Sequence, residues 1–80
     1  MPTVLRVAGF RFYFYSHEPS EPPHVHIDRG SESAKFWLDQ PSVARNLGFS
    51  AKELSDLLRI VRDNRKELME AWHGFFGARR

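Results

Sequence analysis

The sequence predicts an α+β domain: an antiparallel sheet of about four strands, followed by one long C-terminal helix packed on one face. Three observations predict it. Residues 1–38 hold short runs in which apolar and polar residues alternate, the period of a half-buried strand. Residues 50–76 carry one apolar stripe at helical spacing. The segments between runs are short and rich in turn residues, as hairpins require. Eighty residues then make a single domain over 1–80, with a β-meander in 1–38 and the helix in 50–76.

The first strand runs from Thr3 to Val7, apolar and β-branched, and Ala8-Gly9 makes a tight turn in which Gly9 takes positive φ. The second runs from Phe10 to Tyr15. Phe10, Phe12 and Phe14 share one face; Arg11, Tyr13 and Tyr15 share the other. Ser16 to Pro23 is a polar loop with His17, Glu18 and Glu21, and Pro22-Pro23 stiffens the approach to the third strand. That strand, His24 to Asp28, places Val25 and Ile27 inward and His24, His26 and Asp28 outward. After the Arg29-Gly30-Ser31-Glu32 turn comes Ser33 to Leu38, with Ala34, Phe36 and Leu38 on one face and Lys35 and Trp37 on the other. Asp39 to Phe49 reads as a connector, in which a fifth strand over 41–47 is left open.

The helix start is well signalled. Ser50 is the N-cap, Glu53 completes a capping box, and Phe49 and Leu54 occupy the staple positions. The stripe runs Leu54, Leu57, Leu58, Val61, Leu68 and Trp72, ending at Phe75 or Phe76, and Arg65 stands where an apolar residue is due. Gly74 and Gly77 mark the end, and His73 suits the negative end of the helix dipole. Such a helix is roughly 37 Å long at 1.5 Å per residue. A six-residue strand spans only ~20 Å. Either the helix breaks near Asn64 and folds back, or its second half, with Trp72, Phe75 and Phe76, docks on a partner.

Composition sets the outer limits. A chain this short buries only about 60% of its unfolded surface, so a homo- or hetero-oligomeric partner is the natural source of added stability. There is no cysteine, hence no disulfide and no zinc–thiolate site. The formal charge of +2 is too mild to argue for nucleic acid by itself. With no signal peptide and no transmembrane run, a cytoplasmic location without membrane contact is expected.

Met1-Pro2-Thr3-Val4-Leu5-Arg6, Gly9 through Ser16, Pro22-Pro23-His24-Val25-His26 and Ala34-Lys35-Phe36-Trp37-Leu38 follow one another in a specific order. In these motifs, and in the helix with Asn64 and Trp72, the chain resembles a small bacterial family, the Domain of Unknown Function 4160 family. The loop before Pro22-Pro23 is slightly longer than the family's. The resemblance implies a short protein encoded beside a second small protein, in an arrangement similar to toxin–antitoxin pairs. It implies a heteromeric complex and leaves open which member is toxic.

Strand alternation gathers Arg11, Tyr13, Tyr15, His24, His26, Asp28, Lys35 and Trp37 on the sheet face away from the helix. Three uses compete for that face. The first is metal-independent RNA cleavage, by analogy with small toxin ribonucleases on β-sheet scaffolds. His24 and His26 would be base and acid in some order, Arg11 and Lys35 would neutralise charge on the phosphate, and Tyr13, Tyr15 and Trp37 would stack on bases. The second is a divalent metal ion held by His24 and His26, with Asp28, or His17 or Glu21 from the loop, as the third ligand. The third is binding without chemistry, with Tyr, Trp and Arg as anchors for the small protein partner. Binding is the most economical of the three. The working expectation is one component of a two-protein module with no cofactor, its partner a small protein and its further target RNA.

Overall fold

The computed structural model describes residues 3–14 and 21–76, with the Phe76 side chain left out. Five strands form one antiparallel meander in the order β1-β2-β3-β4-β5: β1 Thr3–Val7, β2 Phe10–Tyr13, β3 His24–Arg29, β4 Glu32–Trp37 and β5 Ser42–Leu47. Two helices follow, α1 Ala51–Asp63 and α2 Arg65–Phe76. The α+β class stands as expected, with two points of detail. The sheet has five strands rather than four, and of the two forms left open for the helix it takes the one interrupted at Asn64.

The fifth strand lies in the segment read as a connector. Val43 pairs with Phe36 and Arg45 with Lys35, so Ala44 is an extra residue, a β-bulge. The bulge puts Val43 on the Phe36 side of the sheet and Leu47, opposite Ser33, on the other. The alternation that announces a strand is thereby erased. Smaller boundary shifts follow the same logic of local geometry. β2 ends at Tyr13, and α2 continues through Gly74 to Phe76, with no side chain or backbone within 4 Å of where a Cβ on Gly74 would sit. At the β1–β2 turn both Ala8 (φ 53°) and Gly9 (φ 84°) are left-handed, as a two-residue hairpin of the primed type demands. Tyr15, His17 and Gly77 fall outside the described residues.

The Phe row forms the core as expected. Phe12, Phe14, Val25, Ile27, Phe36 and Leu38 are fully buried under Leu57, Val61, Leu68 and Trp72. The α1 start follows its signals: Ser50 Oγ accepts from Glu53 N (3.1 Å), and Ser50 N donates to Glu53 Oε1 (2.9 Å). Phe49 is buried edge-on against Phe10 at 5.8 Å, and Arg29 spans Phe10, Phe49 and the Glu53 carboxylate. The Ser50 backbone N–H, with Arg29 behind it, holds the Glu53 carboxyl below the usual carboxylate range.

Arg65 explains the break. It donates from Nε to the Leu38 carbonyl (2.8 Å) and from Nη2 to the Asp39 carbonyl (2.9 Å). The residue that spoils the apolar stripe is the one that pins the start of α2 onto the end of β4. Asn64 caps the junction, its side-chain amide donating to Ile60 O (2.9 Å). With the helix broken there, Leu68 and Trp72 reach the chain's own core.

Two outcomes test this account. Arg65→Leu restores the stripe but removes two hydrogen bonds from a charged donor to carbonyls, and should destabilise the fold by about 1–3 kcal/mol in urea unfolding. A neutral or stabilising result would refute carbonyl capping as the reason for an arginine there. For Glu53 the folded pKa lies below the unfolded one, so its contribution is present above the unfolded carboxylate pKa of about 4.3. It is lost as pH falls through the lower, folded value. Wild type and Glu53→Gln should therefore differ in melting temperature at neutral pH and converge in acid.

Candidate functional site

Both helices lie on the Phe-row face, so the opposite face of the sheet is shaped chiefly by strand side chains, joined at its His24 end by Trp72 of α2 and by Glu21. Alternation delivers Arg11, Tyr13, His26, Asp28 and Lys35 there, aligned by the pairs Arg11↔Asp28, Tyr13↔His26 and His26↔Lys35. The Tyr13 hydroxyl donates to Asp28 Oδ1 (2.9 Å), the Arg11 guanidinium lies 4.6 Å over the Tyr13 ring, and Arg11 Nη1 stands 4.0 Å from Asp28 Oδ2. Arg11 also donates to the Thr3 hydroxyl (2.8 Å). Tyr13 stacks on His26 with ring centres 5.5 Å apart.

The face is less open than alternation suggests. Tyr13 is 4% exposed, His26 8% and His24 1%. His24 is enclosed by the rings of Trp72 (5.0 Å), His26 (5.2 Å) and Trp37 (5.9 Å), and its Nδ1–H donates to the Pro22 carbonyl (2.9 Å). That bond places a proton on Nδ1. Glu21 Oε1 is 3.7 Å from the same nitrogen and 2.6 Å from Lys35 Nζ. Lys35 in turn lies 5.0 Å over the Trp37 ring.

A cavity of about 120 Å³ opens at the centre of this face, lined chiefly by Tyr13, His26, Ser33, Lys35, Arg45 and Leu47. It has two cationic side chains, a tyrosine, an imidazole and a hydroxyl, with no carboxylate among the described residues of its wall. Of the expected catalytic set, Tyr13, His26 and Lys35 line it; Arg11 acts through Tyr13 and Asp28, and His24 lies behind His26. Of the expected binding set, Trp37 is half-buried beside Lys35, and Trp72 is a core residue against Phe14 (5.4 Å). Phe75 is 38% exposed near Phe14, while Tyr15 and the Phe76 side chain lie outside the described residues. Asp28, the third expected metal ligand, is engaged by Tyr13 and Arg11. Among the described residues no group of three His, Cys, Asp or Glu is arranged to hold a metal ion.

Ser33 and Arg45 were not legible as site residues. Arg45 reaches the cavity only because β5 exists and pairs Arg45 with Lys35 across the bulge. The register from a fifth strand is the signal that would have found it.

The chain belongs to the family described as Domain of unknown function (DUF4160), whose model matches residues 9–73. That span contains the whole cavity wall and most of both helices. Comparison with curated proteins and with solved structures gives no match. No helix among the described residues is long and apolar enough to cross a membrane.

Tyr13→Phe tests the geometry of the site. It removes the donor to Asp28 while keeping the ring on His26, and should cost about 1 kcal/mol of stability in chemical denaturation. An unchanged midpoint would mean the Tyr13–Asp28 bond contributes nothing net.

Proposed function

We propose that the chain is the binding component of a two-protein bacterial module, and that the cationic cavity on its helix-free face holds a phosphate of single-stranded RNA. The observation that carries this reading is the cavity wall: Lys35, Arg45, Ser33 and His26 converge on one small space with no carboxylate among the described residues that line it. A lysine supplies a point charge and an arginine a planar fork of donors, the two side chains that grip phosphate oxygens. The half-buried Trp37 adds aromatic surface beside Lys35, the usual companion of a backbone groove for unpaired strands. Glu21 holds Lys35 at 2.6 Å. A phosphate competes with that carboxylate for the ammonium.

Binding is favoured over cleavage by the placement of the histidines. A general acid and a general base must both reach the phosphodiester. His26 lines the cavity, whereas His24 is 1% exposed among three rings and serves to pack and orient. The small neighbouring protein would then control access to the bound strand. The two-protein arrangement rests on what the resemblance in sequence implies and not on the geometry.

The test is fluorescence anisotropy of a labelled single-stranded RNA across a salt series. Each phosphate contact on a single strand contributes a slope of about 0.7 in log affinity against log salt. Lys35→Ala and Arg45→Ala should each weaken binding and lower the slope by about that amount. Absence of salt-dependent RNA binding by the wild type would refute the reading, as would unchanged slopes in both variants.

A further inference from the structure

A second depression opens beside the first. It is shallow and roomier, about 300 Å³, and is lined by Pro22, Trp37, Asp39, Gln40 and Ser42. The two spaces meet at one contact, since Lys35 lines the first and its ammonium lies 5.0 Å over the Trp37 ring that lines the second. The wall of this second space combines two chemistries. Trp37 and Pro22 are flat apolar surfaces. Asp39, Gln40 and Ser42 are a short polar rim from the β4–β5 turn.

That turn is held in place. Arg65 binds the Leu38 and Asp39 carbonyls, and the Ser42 hydroxyl donates to the Gln40 carbonyl (3.0 Å). Opposite, the Leu38 N–H donates to the Pro23 carbonyl (2.9 Å), tying the segment after Pro22 to the same turn. The Asp39 side chain itself stays 74% exposed, with one oxygen 3.8 Å from Arg65. The carboxylate is thus displayed on a fixed backbone beside an indole.

We infer that this depression is a nucleobase subsite that prefers guanine. The inference rests on the RNA reading of the adjoining cavity and adds the base that the bound strand presents. An unstacked base lies on Trp37, as single-stranded RNA does on aromatic side chains. A carboxylate only accepts hydrogen bonds. Guanine is the base whose pairing edge offers two parallel N–H donors, N1–H and the exocyclic amine, which matches the two oxygens of Asp39. Its O6 acceptor needs a donor, and the Gln40 amide supplies one. Adenine puts an acceptor, N1, where guanine has a donor, and meets the carboxylate with repulsion. The negative charge of Asp39 is offset by Arg65 at the start of α2, whose guanidinium lies 3.8 Å from one of its oxygens.

Nucleosides carry no phosphate, so they separate this subsite from the phosphate cavity. The full chain, isotope-labelled, is titrated with guanosine and with adenosine while the Trp37 indole and Gln40 amide signals are followed by NMR. Guanosine should shift these signals with about tenfold higher affinity than adenosine, the discrimination expected of one bidentate pair. Asp39→Asn should bring the two within about twofold. The asparagine keeps the backbone carbonyl that Arg65 uses, and an unchanged melting temperature verifies the fold. Equal responses to the two nucleosides would overturn the inference, as would a guanosine preference that survives in Asp39→Asn. RNA binding without base preference would overturn the guanine subsite and leave the phosphate reading standing. A guanosine preference without RNA affinity would do the reverse.

Discussion

The hydrogen bonds from Arg65 to the Leu38 and Asp39 carbonyls settle how a chain with more helix than sheet length can cover itself. The helical segment comprises a 13-residue and a 12-residue piece, against strands of four to six residues. One rigid rod would run past the sheet and leave Leu68 and Trp72 in solvent. An apolar residue at position 65 would favour that rod. The arginine there finds its acceptors in the Leu38 and Asp39 carbonyls just after β4. Those bonds tie the start of α2 to the end of the sheet, and beyond them Leu68 and Trp72 are buried, Trp72 against Phe14. The charge that breaks the pattern therefore completes the core.

The opposite sheet face follows from that arrangement. With both helices on the Phe row, nothing apolar is required of the other side, and it collects the polar half of every strand. What saves those residues from being a loose polar surface is mutual satisfaction. Tyr13 uses Asp28, Asp28 uses Arg11, Arg11 uses Thr3, and Lys35 uses Glu21. No buried side-chain nitrogen or oxygen among the described residues lacks a partner. Networks of this kind hold side chains in one geometry, because releasing any member strands another. The cavity between Tyr13, His26, Lys35 and Arg45 is consequently a preformed space and not a gap between floppy side chains.

Legibility in the sequence tracked the regularity of the backbone. The Phe10–Phe12–Phe14 row, the Val25–Ile27 pair and the Ser50–Glu53 capping box depend on strict periods of two and on fixed helical spacing, and all were readable. β5 was not, because the Ala44 bulge shifts the period in mid-strand and splits Val43 from Leu47. Arg65 was visible only as a defect, since its acceptors lie 26 and 27 positions away in sequence. The face of His24 and His26 was readable, but the degree of their enclosure was not. Burial of a polar residue depends on which rings arrive from elsewhere, here Trp72 from the end of α2.

The edges of the sheet bear on where recognition happens. An open edge strand is a template for another strand, and proteins blunt it with bulges and charges. Both edges here are treated in that way. β1 carries an irregularity between Thr3 and Leu5 together with Arg6, and β5 carries the Ala44 bulge together with Arg45. Each bulge twists the free backbone out of register for a regular partner, and each arginine would be opposed by its own copy in a symmetric pairing about its position. Strand addition is thus disfavoured on both sides. The helix face is occupied by the core, which leaves the helix-free face and the β4–β5 turn as the surfaces with shape, charge and aromatic area together. Arg45 belongs to both devices: it guards the β5 edge and lines the cavity. Its backbone partner across the bulge is Lys35, and the Glu21 carboxylate on that lysine supplies the negative charge beside the two cations.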